Sequence, residues 1–294
     1  MMHIKNLTQK GAFVVGFPIK HSLSPVIFHY WFKKYKIEAF YDKLQIAPEN
    51  FEQFINQLKN SCGSFPEKKT ILLGGNVTIP HKEKALIMAD NCSLEAKNIG
   101  AANFLYFKEK KLHATNTDAY GFINHLYQSY PDFSAKNAYI IGAGGAARAI
   151  IYALLKKDYQ KIYLINRNEE RAKTCVRDFG KNIIYVPFEK RHEILENAEL
   201  IVNTTPLSMR IEGQDYAPFP LQFQYAKKTA LCYDIVYNPL QTNFLQQAQQ
   251  QGLKTLDGLG MLLHQAVPCF QILFGITPVI DEKLRAFILE QLVK

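Results

Sequence analysis

Short apolar and β-branched runs alternate with helix-period segments along almost the whole chain, which predicts an α/β architecture. In the first third, FVVGF (13–17) reads as a strand, PVIFHYWFKKYK (25–36) as a helix and FYDKLQI (40–46) as a strand. NFEQFINQLK (50–59) follows as a helix, KTILLGGNVT (69–78) as a strand and KEKALIMA (82–89) as a helix. NFLYFKEKKLHATN (103–116) reads as a hairpin whose turn falls in the lysine–glutamate run. A second α/β run then begins. AYIIGAGGAARAIIYALLKK (138–157) is strand, glycine turn and helix, and KIYLIN (161–166), NIIYV (182–186), ELIVNTT (199–205) and ALCYDIV (230–236) are further strands. The last stretch is helical over 242–252, 258–275 and 281–294, with no internal repeat and no flexible linker.

Composition narrows the classes. At 294 residues the chain can form two domains, and 48% hydrophobic with 21% charged residues excludes wholesale disorder and a collagen-like chain. No apolar run reaches the roughly 18 residues of a membrane span, and the N-terminal stretch lacks the apolar core of a secretory signal. Five scattered cysteines, never spaced CxxC, suit a reducing cytoplasm, and the eight histidines show no metal-ligand spacing, so no metal is expected. The net charge of +9 comes from short groups (Lys33-Lys34, Lys68-Lys69, Lys108 to Lys111, Lys156-Lys157, Lys227-Lys228) without interleaved aromatics. That distribution argues against nucleic acid and for a field attracting small anions.

Gly142-Ala143-Gly144-Gly145-Ala146-Ala147 fits GxGxxA, and it lies between a strand and a helix, the context that makes it a dinucleotide fingerprint. The first glycine permits the turn, the second lets backbone approach the pyrophosphate, and Ala147 lets the helix pack close. A NAD site would place a carboxylate about 20 residues on. Here the next strand ends in Asn166-Arg167-Asn168, with Arg171 a turn later, so a 2′-phosphate and NADP(H) are expected. Arginines at a helix start, where the dipole disfavours them, would have a reason in a bound anion. Hydride transfer also needs a proton donor, for which the candidates are Lys82 in GNVTIPHK and Asp118 in NTDAYGF. Each also has an ordinary reading, Lys82 as a helix-start lysine and Asp118 as a cap.

HSLSP (21–25), GNVTIPHK (75–82), NTDAYGF (116–122), IGAGGAARA (141–149), NRNEERA (166–172), NTTPLSM (203–209), YDIVYNP (233–239) and DGLGMLLHQA (257–266) together resemble the shikimate dehydrogenase family, in its motif order and across nearly the whole chain. The resemblance implies NADP-linked reduction of 3-dehydroshikimate to shikimate in aromatic amino acid biosynthesis. It implies Ser22, Ser24, Asn76, Thr78, Asn103, Tyr237 and Gln265 as substrate ligands and Lys82 with Asp118 as the proton-transfer pair. Gly142, Gly144, Gly145, Ala146, Asn166, Arg167, Asn168, Arg171, Asn203, Thr204, Gly258 and Met261 fall on the cofactor side by the same match. The implied fold has a substrate domain, 1–116 plus 239–294, closed by the C-terminal helices. A Rossmann-like domain, 117–238, completes it, with the active site in the cleft between the two. The expected protein is a cytoplasmic monomer or homodimer with a small-molecule substrate.

Three positions depart from the family pattern: Phe104 for threonine, Ala119 for glycine and Ser208 for glycine. Phe104, beside Asn103, bears on substrate specificity, and Ser208 matters if its φ must be positive. Three rivals stand beside this expectation. One is a quinate/shikimate dehydrogenase with relaxed substrate or cofactor use, against whose NAD use Arg167 and Arg171 argue. A second is a methylenetetrahydrofolate-type dehydrogenase, disfavoured by HSLSP and NTD. The third is a non-catalytic NADP-sensing regulator, expected to have lost Lys82 or Asp118, both of which are present.

Overall fold

The computed structural model describes residues 9–65, 69–209 and 217–293. The first eight residues, Lys68 and Lys294, on which some expectations fell, lie outside the described residues. Backbone contacts divide the chain into two units, Met1–Thr117 with Ala266–Lys294, and Asp118–Gln265.

The first unit runs β1 (Gln9–Gly16), α1 (Ser24–Tyr35), β2 (Ala39–Gln45), α2 (Phe51–Ser61), β3 (Ser64–Phe65), β4 (Thr70–Val77), α3 (Lys82–Met88), β5 (Asn91–Cys92), α4 (Leu94–Ile99), β6 (Phe104–Lys108) and β7 (Lys111–Thr115). Among the described residues its sheet has the order β2-β1-β4-β6-β7-β5, with β3 beside β4. β1 is parallel to β2 and β4, whereas β6 is antiparallel to β4 and β7. The β6–β7 turn falls at Glu109-Lys110, both at positive φ, the turn geometry that matches the twist of paired strands.

Alternation along the strands sorts side chains onto two faces. Phe13, Val15, Val77 and Leu105 pack with Phe51, Ile55 and Leu58 of α2. On the other face, Tyr41 of β2 packs on Phe28 of α1, ring centroids 4.1 Å apart. Phe28 and Trp31 in turn pack on Phe270 of α9 (Leu259–Phe274), which continues through Pro268. α10 (Glu282–Val293) closes the unit, tied to α1 by the Lys34–Asp281 ion pair at 2.6 Å.

The second unit opens with α5 (Asp118–Ser129) and continues β8 (Asn137–Ile141), α6 (Gly145–Leu155), β9 (Lys161–Asn166), α7 (Glu169–Phe179), β10 (Ile183–Pro187), β11 (Leu200–Asn203), β12 (Leu231–Asp234), α8 (Asn243–Gln250) and β13 (Lys254–Leu256). The sheet order is β10-β9-β8-β11-β12-β13, and every pair is parallel. Counted within the unit this is 3-2-1-4-5-6, the doubly wound order of dinucleotide-binding folds. The order reverses between β8 and β11, so ligand-binding groups are expected at the carboxyl ends of those two strands.

The sequence reading put the return to the first unit at 239, whereas the contacts put it after Gln265. β13 is the reason: its three residues pair with β12, and α8 packs on both, so residues 239–265 complete the second sheet.

Candidate functional site

In the first unit, the turn after β1 and the ends of β4, β6 and β7 carry the polar residues. Ser22 and Ser24 sit where the chain enters α1, both buried, with the Ser22 hydroxyl donating to Ser24 Oγ at 3.3 Å. Asn76 lies near the end of β4 and is buried. Its Oδ1 accepts from the Tyr41 hydroxyl at 2.7 Å, and its Nδ2 donates to Cys269 Sγ at 3.4 Å. Cys269 Sγ is also 3.4 Å from Thr117 Oγ1. Thr117 accepts from Asn103 Nδ2 at 2.9 Å, and its own N–H donates to Asn103 Oδ1 at 2.7 Å. With the Tyr41 hydroxyl also hydrogen-bonded to Ser24, Ser22, Ser24, Asn76 and Asn103 are brought together, and Thr117, the neighbour of Asp118 in NTDAYGF, joins them.

Thr78 is half-buried in the turn after β4, where its C=O accepts from the His81 N–H at 2.9 Å. That turn includes the cis Ile79–Pro80 bond, and Lys82, half-buried, is the first residue of α3. The Lys82 carbonyl accepts from Ala102 N–H, which ties the start of α3 to the segment leading into Asn103. His81 faces away from this chemistry. It is buried, stacked on Phe51 at 4.2 Å and bonded to the Ile46 carbonyl, and burial lowers its pKa, so it serves as a neutral latch. His21 is exposed. Phe104 pairs with Asn76 across β4 and β6 and so shares its face, buried and stacked with Tyr106.

In the second unit Asp118 opens α5 and is buried. One turn on, Gly121 meets the backbone of α9 at Met261 and Gln265, so near that any side chain would collide. Asp118 and Gly121 are three apart and share a helix face, so this approach brings Gln265 to the Asp118 side of α5. Gln265 is buried and donates to the Leu262 carbonyl at 3.0 Å. Tyr237 is half-buried in the segment after β12.

The glycine turn follows β8, at the place where the strand order reverses. Gly142 has φ of +108°, and a side chain there would strike Thr204 Oγ1, which itself donates to the Ile141 carbonyl at 2.7 Å. Gly144 is different: its φ is −90° and a side chain would meet nothing within 4 Å. Gly144 is the N-cap of α6 without a side-chain cap, so the first-turn N–H groups, including those of Gly145 and Ala146, surround open space. An open, donor-lined helix start fits a pyrophosphate.

Asn166 ends β9, and its Nδ2 donates to the Asn168 carbonyl at 2.7 Å. Asn168 caps α7 by accepting from the Arg171 N–H at 3.0 Å. Arg167 and Arg171 are exposed on this turn, where no carboxylate takes the place of Asn166. Glu169 and Glu170 already match the α7 dipole, so the dipole gives no reason for a bound anion. The absent carboxylate and the paired guanidiniums do.

Asn203, expected on the cofactor side, is at the end of β11. It is fully buried, with Nδ2 donating to Ser208 Oγ at 2.8 Å and Asp234 Oδ1 at 3.0 Å while Oδ1 accepts from Thr205 N–H at 2.9 Å. Its amide holds the loop after β11, and Ser208, which has no positive φ, is a partner in the same network. Gly258 lies against the Ile235 and Val236 carbonyls, and Met261 is buried behind it on α9. Among the described residues no group of three or more His, Cys, Asp or Glu side chains could hold a metal, and no helix is long and apolar enough to cross a membrane.

The chain matches the model of the shikimate dehydrogenase substrate binding domain over residues 14–105 and that of shikimate / quinate 5-dehydrogenase over 125–235. It is 47% identical over 281 residues to the shikimate dehydrogenase (NADP(+)) of Bartonella tribocorum, covering 96% of this chain and 94% of that one. The shikimate dehydrogenase of Aquifex aeolicus superposes with a TM-score of 0.82 at 32% identity, covering 98% of this chain and 99% of that one. The shikimate 5-dehydrogenase of Thermus thermophilus, in complex with NADP(H) and shikimate, gives 0.80 at 30% identity over 95% and 98%. With eight motifs in order, a doubly wound sheet carrying the glycine turn and these likenesses at nearly full length, the chain belongs to the shikimate dehydrogenase family.

Proposed function

We propose that the protein is an NADP-dependent shikimate dehydrogenase, catalysing the reversible reduction of 3-dehydroshikimate to shikimate. The observation that carries this reading is the buried set Ser22, Ser24, Asn76, Asn103 and Thr117. These hydroxyl and amide groups are hydrogen-bonded among themselves, so they stand as a pre-arranged polar set in a domain interior. A small ring carrying a carboxylate and several oxygens matches that set, and such a site rejects analogues that lack one oxygen. Relatives named for NADP(+), together with the open turn at Gly144 and the guanidiniums of Arg167 and Arg171, support NADP as the cofactor.

When bound, NADPH supplies the hydride for the carbonyl carbon. The chain's own residues hold the acceptor and manage the proton. Ser22 and Ser24 hold the carboxylate, Asn76 and Thr78 contact the carboxylate or ring hydroxyls, Asn103 and Gln265 are further substrate ligands, and Tyr237 lies on the substrate side. The Lys82 ammonium gives its proton to the nascent alkoxide oxygen, forming the new O–H. Asp118 orients Lys82 and accepts from a ring hydroxyl.

The test follows reduced-nicotinamide absorbance with shikimate and either NADP or NAD, then with quinate. Rapid NADPH formation from shikimate is expected, with NAD and quinate slower. Lys82→Met should lower kcat by about 10²- to 10⁴-fold with little change in KM for shikimate. Wild-type kcat in that variant would remove Lys82 from the proton step. Binding of both ligands without turnover by the unmodified protein would instead identify an NADP sensor.

A further inference from the structure

The hydrogen-bonding side chains around Asn76 and Asn103 form a continuous chain because three residues outside the expected ligand set join it: Thr117, already described beside Asn103, and two more. The sequence of contacts is Ser22 to Ser24, Ser24 to Tyr41, Tyr41 to Asn76, Asn76 to Cys269, and Cys269 to Thr117, which meets Asn103. Tyr41 lies in a run that reads as an ordinary strand, and Cys269 in one that reads as an ordinary helix. Both are fully buried.

We propose that the Tyr41 hydroxyl and the Cys269 thiol are positioning residues that fix the orientation of the Asn76 amide and couple it to Ser24 and Thr117, thereby setting affinity for the substrate without taking part in the chemical step.

An asparagine amide can turn over about its terminal bond, exchanging a donor face for an acceptor face. Tyr41 stands on the Oδ1 side at 2.7 Å and Cys269 on the Nδ2 side at 3.4 Å, so the two partners define which face is which. Burial pushes the Tyr41 phenol well above its ordinary pKa, so the hydroxyl keeps the proton it donates to Asn76. The ring is clamped by Phe28, and Cys269 is neighboured on α9 by Phe270, itself packed on Phe28 and Trp31. The aromatic block therefore holds both positioning groups at fixed places, and they in turn hold the amide. Groups prearranged in this way lose little freedom when a ligand binds.

This inference rests on the shikimate reading, and its test separates the two. Tyr41→Phe keeps the ring and deletes one hydroxyl; Cys269→Ala deletes the thiol, and Cys269→Ser restores a hydrogen-bonding group. Tyr41→Phe and Cys269→Ala should each raise KM and the calorimetric Kd for shikimate about tenfold, the scale of one lost buried hydrogen bond. kcat should stay within about threefold and KM for NADP should be unchanged. Cys269→Ser should recover most of the lost affinity. In an Asn76→Ala background, Tyr41→Phe should have no further effect, because its action passes through Asn76. Unchanged shikimate affinity in both deletions would overturn the proposal, as would a Tyr41→Phe penalty of equal size without Asn76. Loss of affinity for both ligands together, with a lowered melting temperature, would mark a packing role and overturn it too. If the unmodified protein neither binds nor oxidises shikimate, the functional reading fails, and the coupling inferred from it falls with it.

Discussion

Asp234, at the end of β12, is a fully buried carboxyl, and burial raises its pKa from 3.8 to about 6. Four bonds oppose that rise: from Ser208, from the Thr242 hydroxyl at 2.7 Å, from the Val236 N–H at 3.0 Å and from Asn203 at 3.0 Å. Because the folded value is raised, the group's favourable contribution is complete below about pH 4 and is lost as pH climbs through about 6. Ionisation at neutral pH thus lowers stability by about 3 kcal/mol relative to acid. Asp234→Asn should remove this slope. Between pH 4.5 and 7, urea midpoints should show the variant gaining on the wild type by about 2 kcal/mol once converted with the denaturant slope. Parallel pH profiles would contradict a raised Asp234 pKa in the fold. None of this was legible in YDIVYNP, since the sequence does not reveal which polar residues are sealed from water. The same limit hid the bond by which Asn203 holds the loop with Ser208. The helix-start positions of Lys82 and Asp118 were legible, since each opens the helix its motif leads into.

The turn between β8 and α6 separates two uses of glycine within three positions. Gly142 has positive φ and no room beside Thr204, whereas Gly144 has ordinary φ and empty space beside it. Gly142→Ala should cost stability, by about 1 to 3 kcal/mol from backbone strain with the collision added, and should lower the melting temperature without ligand. Gly144→Ala should melt as the wild type does, yet raise KM for NADP at least about tenfold and abolish the thermal shift NADP produces. Equal melting temperatures for the two variants would show that the turn does not divide the roles this way. At this scale the periodic segments were legible: the strands FYDKLQI and KIYLIN and the helix over 258–275 lie close to their expected bounds. β13 was not. Three residues are too few to show alternation, and the sheet assignment of Lys254–Leu256 depends on β12, which lies well back along the chain. That missed strand moved the unit boundary from 239 to 266.

Across the whole chain, 35 lysines and arginines against 26 acids give a net charge of +9, which the sequence alone connects to anionic ligands. The two ligands differ in the charge they present. Shikimate has one carboxylate, while NADP has a pyrophosphate and a further 2′-phosphate, and Arg167 and Arg171 stand exposed on the turn proposed to receive that phosphate. Exposed charges act through solvent, so their pull depends on screening, which shortens from about 30 Å in 0.01 M salt to about 8 Å in 0.15 M. Of the groups proposed to bind shikimate, Ser22, Ser24, Asn76, Asn103 and Gln265 are buried hydrogen-bonding side chains and are screened much less. Over that salt range KM for NADP should rise several-fold and KM for shikimate less than about twofold. Replacing both arginines with glutamine should flatten the NADP response and bring NADP and NAD within about tenfold of each other in kcat/KM. Matching salt responses for the two ligands, or an undiminished NADP preference in the double variant, would place 2′-phosphate recognition elsewhere than the turn between β9 and α7.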